Sequence, residues 1–314
     1  MTKEIEDKLE KIPIINWFII LFKKIKIPGL EGMSLYDILE MYFIGIVRGA
    51  LTTRAGGIAY SFFMAIFPFL LFVLTLIAYI PIPEARSGFI GLIENVLPPK
   101  TYQAVDTVII DIANNQYAGL LSFGFLASIF LMTNGINSIF GGFEYSYHVK
   151  EVRNVIRAYF ISMAISLIMA VFLIIVVILI VFFELILQDL HSFGLIEDNV
   201  FWFQIGRGII FVIMVFSIVS ILYLYGTKSG KHSKFFSAGT IFTTILSIIT
   251  FYIFGYYVRE FAQYNELYGS IGTLLILMLF IWLNAIILLL GFELDATIFS
   301  LRRQNKSFIP PKKL

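Results

Sequence analysis

The stretch from Arg54 to Pro83 constrains the fold of this chain more than any other. After Arg54, no aspartate, glutamate, lysine, arginine or histidine occurs before Glu84. A helix needs about 20 apolar residues to cross a bilayer, so this stretch is long enough to span one. Pro68 lies near its middle and removes one backbone donor, so the helix should kink or loosen there. The stretch predicts a membrane-spanning helix with an internal irregularity.

The composition extends this prediction to the whole chain. Of the 314 residues, 59% are hydrophobic and only 14% are charged, whereas a soluble domain has about 25% charged residues. The net charge of +2 is too small to predict a nucleic-acid partner. The chain contains no cysteine, which excludes disulfides, thiolate metal sites and cysteine nucleophiles. A polytopic membrane protein fits these values.

Six apolar segments are long enough to cross a membrane, which predicts an all-α polytopic fold. Their bounds are about 56–81, 118–143, 157–186, 205–225, 236–258 and 269–296. Together they predict a six-helix transmembrane domain over residues 53–298. Three flanking or inserted segments complete the domain organisation. We expect interfacial amphipathic helices over 1–52, an extracytoplasmic helical hairpin around Pro98-Pro99 in the insert 82–117, and a basic cytoplasmic tail over 299–314.

Lysine and arginine are distributed unevenly between the two sides of these segments. In alternating topology, 19 of the 23 basic residues fall in segments on the side of the two termini, and 3 fall in segments on the other side. Positively charged segments remain in the cytoplasm during membrane insertion. The sequence therefore predicts that both termini are cytoplasmic.

The polar residues that remain inside the six segments are neutral. Their middles contain no aspartate, glutamate, lysine, arginine or histidine, which argues against a proton relay or a voltage sensor. The chief polar residues there are Asn134, Asn137 and Ser138 in the second segment and Asn284 in the sixth. Two interpretations are open. These side chains and nearby glycines are either helix–helix packing contacts or the lining of a polar cavity that opens to the cytoplasm.

Complementary charges lie at the predicted cytoplasmic ends of three segments. They are Arg54, Glu144, Arg153, Arg157, Glu293 and Asp295. Helical spacing places Glu293 and Asp295 on different faces, so they should not share a groove. Arg54 is expected to pair with Glu293 or Glu144 and to close this end of the bundle. Alternatively, the arginines bind lipid phosphate groups or only follow the topology rule.

Tyr60 and the pair of Glu184 and Arg207 are explained most simply by structural roles. Tyr60, near Arg54, is either an interfacial anchor or a cavity hydroxyl. Glu184 and Arg207 lie at the outer ends of consecutive crossings and are predicted to form a structural pair.

The sequence contains no enzyme signature that we could identify. It has no glycine-rich phosphate loop and no nucleophile elbow. His148, His191 and His232 all fall in predicted loops, on different sides of the membrane, so they predict no zinc site. We therefore expect no catalytic residue, no metal and no cofactor, and a nuclease or hydrolase is disfavoured.

Three stretches of the sequence carry polar, proline and glycine positions at distinctive spacings. They are Arg54–Tyr60 with Phe67-Pro68; Asn134-Gly135 through Tyr147 with Arg153 and Arg157; and Tyr268-Gly269-Ser270 through Trp282 to Gly291-Phe292-Glu293-Leu294. Together they resemble the YihY/BrkB family of bacterial inner-membrane proteins, over about residues 40–298. The resemblance implies six helices with both termini inside, in agreement with the charge distribution.

The resemblance implies no settled activity. Members carry an old ribonuclease BN label, one is associated with virulence, and some relatives have been linked to envelope lipid export. It implies functional roles for the matching positions Arg54, Tyr60, Pro68, Asn134, Glu144, Tyr268, Gly269, Trp282, Gly291 and Glu293.

Together, these observations predict a transporter or flippase-like protein for an anionic lipid or other envelope amphiphile. The alternative is a structural or assembly protein of the cell envelope. Membrane lipids are the expected partners, with an envelope protein or a second copy of the chain as further candidates. The candidate binding or gating residues are Arg54, Tyr60, Pro68, Asn134, Asn137, Glu144, Arg153, Tyr268, Asn284 and Glu293.

Overall fold

A computed structural model of the protein describes most of the predicted transmembrane domain. The described residues are 22–24, 34, 36, 39–40, 50–79, 90, 99–146, 149, 152–192, 199–227, 235–261 and 270–308. Seven long helices lie within them: α1 (Leu51–Ile77), α2 (Pro99–Asn114), α3 (Ala118–Glu144), α4 (Val155–Ser192), α5 (Asn199–Tyr225), α6 (Ala238–Phe261) and α7 (Ser270–Phe308). The predicted interfacial helices of residues 1–52 and the tail beyond Phe308 lie almost entirely outside the described residues.

Six of these helices, all except α2, are long and apolar enough to cross a membrane. The predicted all-α fold with six membrane-crossing helices is confirmed. The sequence placed the end of the last crossing near residue 296, whereas α7 continues to Phe308. With 39 residues, α7 is about 58 Å long, against a hydrocarbon core of about 30 Å. Hydropathy marks where a helix leaves the membrane, and the helix itself continues through the charged residues that follow.

The insert between α1 and α3 contains the helix α2. It begins at Pro99. Proline suits the first helical position because a backbone N–H at that position would have no partner within the helix. Ile109 and Ala113 are buried, and α2 packs against α1. This helix occupies the segment predicted as the second half of a hairpin, and the hairpin itself stays a prediction. The first half lies outside the described residues, apart from the helical residue Ile90.

The six crossing helices pack in chain order to form a ring. Each of α1, α3, α4, α5 and α6 contacts the next, and α7 packs back against α1 to close the ring. Because the helices alternate in direction, α1, α4 and α6 begin at the end of the ring where α3 and α5 finish. This end holds Leu51, Glu144, Val155, Tyr225 and Ala238. We call it the charged end.

The buried core lies in the half of the ring next to the charged end. Its members come from five helices, because one apolar stripe of each helix points toward the ring centre there. At its middle, Phe143 on α3 stacks on Phe292 on α7, with ring centroids 4.2 Å apart. Phe143 also meets Tyr223 on α5 edge to face at 5.5 Å. The centre of the ring is therefore filled with side chains at this level.

Candidate functional site

An ion pair between the first and last helices closes the ring at the charged end. Arg54 Nη2 lies 2.7 Å from Glu293 Oε1, and the two side chains are only 7% and 0% exposed. Arg54 Nη1 also donates a hydrogen bond to the carbonyl of Gly142 at 2.7 Å. The second carboxylate oxygen, Glu293 Oε2, accepts a hydrogen bond from Ser146 Oγ at 2.7 Å. Of the two partners predicted for Arg54, Glu293 is confirmed.

Gly142 allows α3 to approach α1 and α7 closely enough for these bonds. A Cβ atom placed on Gly142 would lie 3.1 Å from Leu289 and 3.2 Å from Ile58. Both contacts are tighter than ordinary van der Waals distances. The glycine thus brings its carbonyl within reach of the Arg54 guanidinium.

A second buried ion pair joins the end of α3 to the segment that enters α4. Arg153 Nε lies 3.7 Å from Glu144 Oε1, and the Arg153 backbone N–H donates to the same oxygen at 3.3 Å. The Arg153 Nη2 donates to the carbonyls of Tyr225 and Thr227 at the end of α5. Burial lowers the pKa of the Arg153 guanidinium, and the Glu144 charge opposes that shift. Glu144 is thus the partner of Arg153.

Asp295 on α7 caps the start of α6. Its Oδ1 accepts the backbone N–H of Gly239 at 2.7 Å, and its Oδ2 accepts the hydroxyl of Ser237. A carboxylate at a helix N-terminus is favoured because it meets unpaired N–H groups and the positive end of the helix dipole. Glu293 contacts α1 and the segment after α3, whereas Asp295 contacts α6. The predicted separation of the two carboxylates is confirmed.

Sequence reasoning missed the role of Tyr223 and its neighbours between α5, α6 and α7. The fully buried Tyr223 hydroxyl donates to the Leu288 carbonyl at 2.7 Å and bonds to Thr243 Oγ1 at 2.6 Å. A Cβ atom at Gly291 would overlap Thr243 and Tyr223. Gly239 and Thr243 are small residues four positions apart on α6, a spacing that signals close helix packing in membranes. That spacing is the signal that could have predicted this contact.

These contacts seal the charged end with buried polar groups. Three buried atoms have no hydrogen-bond partner among the described residues: Arg54 Nε, Arg153 Nη1 and Thr297 Oγ1. The other guanidinium nitrogens of Arg54 and Arg153 contact groups on α3, on α7 and at the end of α5. Within the described part of the chain, the charged end is therefore closed by side chains.

The opposite half of the ring is not filled in the same way. On α5, one helix face contains Phe201, Ile205, Val212, Val219 and Tyr223 at helical spacing. Val219 and Tyr223 are 5% and 0% exposed, whereas Val212, Ile205 and Phe201 are 41%, 40% and 53% exposed. The face that points into the core near the charged end is therefore uncovered farther along the same helix.

The last helix shows the same change along one face. Ala285 and Phe292 of α7 are buried, whereas Leu274 on the same face is 39% exposed. Neighbouring helices still touch at this level, since Phe254 on α6 lies 4.9 Å from Phe280 on α7 between ring centroids. Neighbouring helices thus touch while the described residues leave these faces of α5 and α7 uncovered. We call the apolar region along these two faces the vestibule.

The asparagine side chains inside the membrane-crossing helices lie on different helix faces and have different partners. Asn134 lies half a turn from the buried residues Ile136 and Phe143, and it forms no hydrogen bond to another described residue. Asn137 accepts a hydrogen bond of 3.4 Å from Ser162 on α4. On α7, Asn284 donates to the Phe280 carbonyl of its own helix at 2.9 Å. Two of the three amides thus bond within their own helix or to a neighbouring helix.

The other predicted positions are spread over the protein. Tyr60 is exposed on α1, and α1 continues as a helix through Pro68. Trp282 is partly buried and packs against the core. Tyr268 and Gly269 lie outside the described residues, as does the side chain of Glu184, so the predicted Glu184–Arg207 pair falls partly outside them.

These features define a class of protein: a multi-pass integral membrane protein built as a ring of six crossing helices. The family model described as virulence factor BrkB matches residues 45–313, and the chain belongs to the BrkB family of bacterial membrane proteins. No solved structure matches the chain.

Named relatives agree with this assignment. The chain is 32% identical over 246 residues to the putative ribonuclease-like protein YfkH of Bacillus subtilis (strain 168), covering 78% of the chain and 88% of YfkH. It is 22% identical over 266 residues to a UPF0761 membrane protein of Aggregatibacter aphrophilus (strain NJ8700), covering 82% and 90% of the two chains. A UPF0761 membrane protein of Vibrio parahaemolyticus is 24% identical over 261 residues, covering 81% and 79%.

The ribonuclease-like name belongs to the relative YfkH. Within the part of this chain that the structure describes, no group of three or more histidine, cysteine, aspartate or glutamate residues is placed to hold a metal ion.

Proposed function

We propose that this protein binds an anionic lipid or another envelope amphiphile in a bacterial inner membrane and helps to move it between leaflets. One observation carries the proposal: among the described residues, the ring is filled and closed by ion pairs at the charged end, whereas one face each of α5 and α7 is uncovered in its opposite half. A cavity that is open toward one side of a membrane and sealed toward the other is the arrangement that an alternating-access transporter requires.

The chemistry of the vestibule favours a cargo with an apolar portion. Its exposed faces contain Phe201, Ile205, Val212 and Leu274. A site for an ion or a free sugar would need polar groups that replace the lost hydration. Acyl chains need none, so an amphiphile fits the vestibule while its head group remains at the aqueous boundary. Both termini are placed in the cytoplasm in this proposal, so the vestibule opens away from the cytoplasm.

The pair formed by Arg54 and Glu293 is the candidate gate. It joins the two helices that close the ring, so its separation would open the charged end between α1 and α7. Buried ion pairs are costly to form and costly to break. A gate of this kind can therefore remain closed until a bound cargo stabilises the open form.

The test is a lipid-scrambling measurement in proteoliposomes with fluorescent phosphatidylglycerol and, separately, fluorescent phosphatidylcholine. We expect the wild-type protein to accelerate exchange of the anionic lipid between leaflets relative to empty vesicles. Val212→Trp should slow exchange by filling the vestibule. Ile168→Trp is the matched control, because Ile168 is exposed on α4. Equal rates for wild-type and empty vesicles would overturn the proposal.

A structural or assembly role is the second candidate function. It is favoured by polar side chains that bond between helices inside the predicted membrane region. Ser61 and Ser138 join α1 to α3 at 2.7 Å, and Thr133 bonds to Ser166 on α4 at 3.3 Å. A scaffold of this kind predicts no lipid exchange above that of empty vesicles, so the same experiment separates the two functions.

A further inference from the structure

A shallow groove lies on the outside of the ring where α4 leaves the charged end. Its lining residues are Asn154, Ile156, Arg157, Phe160, Ile161 and Ala164. Positions 157, 160, 161 and 164 follow the helical spacing of a single face. The buried face of α4, with Ser162, Ile165, Ser166 and Met169, points elsewhere. The groove is therefore separate from the vestibule.

Arg157 gives the groove a positive charge that no described residue compensates. Its side chain is exposed and has neither an ion-pair partner nor a hydrogen-bond partner among the described residues. By contrast, Arg54 and Arg153 are buried and paired with Glu293 and Glu144. Glu144 is already engaged by Arg153 and forms no ion pair with Arg157. The groove is thus electrostatically complementary to an anion.

The rest of the groove is apolar and runs along α4 into the membrane-crossing region. Phe160 is exposed, and Ala164 one turn farther along is small enough to leave a depression beside it. Ile156 is also exposed beside Arg157. A free phosphate ion would use only the guanidinium. A ligand with a charged head and an acyl chain would use both parts of the groove.

We infer that this groove binds one anionic phospholipid, with its phosphate on Arg157 and an acyl chain along Phe160 and Ala164. A guanidinium suits this role because its planar donors match two phosphate oxygens at once. The site does not depend on the proposed transport, because it lies outside the ring and its occupancy is a binding property. Its failure and the failure of transport are therefore measured separately.

The experiment is native mass spectrometry of the full-length protein in detergent, titrated with phosphatidylglycerol or phosphatidylcholine. We expect the wild-type protein to retain phosphatidylglycerol more strongly, and Arg157→Gln to reduce that retention about fivefold, the effect of one basic residue at a membrane surface. The matched control is Arg207→Gln, which removes an exposed arginine from α5 far from the groove. It should leave retention unchanged.

Two further measurements keep the inference falsifiable. Ala164→Trp leaves the charge in place and fills the apolar part of the groove, so it should lower retention of both lipids. Inorganic phosphate should not displace phosphatidylglycerol. The inference is overturned by equal losses in Arg157→Gln and Arg207→Gln, by full retention in both groove variants, or by displacement with inorganic phosphate alone.

Discussion

Arg54 on α1 and Glu293 on α7 form a buried ion pair of 2.7 Å that closes the helix ring. Neither charge is solvated, since both side chains are more than nine-tenths buried. Their stability in this position depends on each other and on the hydrogen bonds from Ser146 and to Gly142. The pair is therefore expected to behave as a unit.

Removing only one partner of this pair should be strongly destabilising. We expect Glu293→Ala to lower the free energy of unfolding by about 3–5 kcal/mol, because Arg54 is left charged and buried. The double variant Arg54→Met/Glu293→Met should lose far less, since it removes both charges. Unfolding in detergent, followed by tryptophan fluorescence, measures both.

Arg207→Ala is the control for that measurement, because Arg207 is exposed. Its effect should be small, as for most exposed charges. Equal destabilisation by Glu293→Ala and Arg207→Ala would contradict the role assigned to the pair.

Gly291 should be intolerant of even one added methyl group. Its Cβ would overlap Thr243 and Tyr223, so Gly291→Ala is expected to cost about 1–3 kcal/mol of stability through overpacking. Adding Thr243→Ala should recover part of the loss by removing one of the overlapping groups. The midpoint of thermal unfolding reports the change.

Gly255 on α6 supplies a matched glycine for comparison. A Cβ placed there meets nothing within 4 Å. Gly255→Ala should be neutral or slightly stabilising, because alanine favours the helix over glycine by up to about 1 kcal/mol. A loss at Gly255 as large as that at Gly291 would show that packing between α6 and α7 is not the cause.

The vestibule predicts a sharp change in accessibility along one face of α7. The chain contains no cysteine, so single cysteines can be introduced without background. We expect Leu274→Cys to react readily with a small thiol reagent, because Leu274 is exposed, and Ala285→Cys to be protected in the core. Reaction rates in detergent measure this difference.

Denaturing the same two variants in sodium dodecyl sulfate provides the control. Their rates should then become similar. Protection of Leu274→Cys in the native protein as complete as that of Ala285→Cys would mean that the vestibule is closed.

The charge distribution predicts that Asn115 and Asn154 lie on opposite sides of the membrane. Both are exposed. Asn115 lies just before α3 and Asn154 lies just before α4, so they are at opposite ends of the ring. In intact cells, a membrane-impermeant maleimide should label Asn115→Cys and should label Asn154→Cys only after lysis. The reverse pattern would invert the orientation given by the positive-inside rule.

The number and type of crossing helices were predictable from the sequence because hydrocarbon imposes one strong requirement on every span. Each must be apolar, about 20 residues long and internally hydrogen-bonded. The true length of α7 was not predictable from hydropathy, since its last residues continue as a helix after Ala296. The charged stretch of a helix outside the membrane carries no comparable signal.

The sequence predicted which residues form the site, but it did not predict which residue pairs with which. The positions of Arg54, Glu144 and Glu293 indicated ion pairs at one end, but two partners were open for Arg54. The choice depends on how α3 and α7 are rotated against α1, which in turn depends on close contacts such as that at Gly142. Rotation of this kind comes from tertiary packing.

The vestibule could not be read from the sequence at all. Leu274 and Phe292 are both large apolar residues on the same face of α7, yet one is exposed and the other is buried. Apolar side chains are equally suited to a packed core, to a surface that contacts lipid and to the wall of an apolar cavity. Only the spacing of neighbouring helices distinguishes these environments.

The closing contact of the ring ties its assembly to the order of synthesis. Arg54 is made 239 residues before Glu293. Until α7 emerges from the ribosome, the preceding helices can form only an open arc, and the Arg54 guanidinium lacks its carboxylate. Insertion of α7 is thus the step that supplies the carboxylate for Arg54, and any chain truncated before Glu293 carries an arginine without this partner.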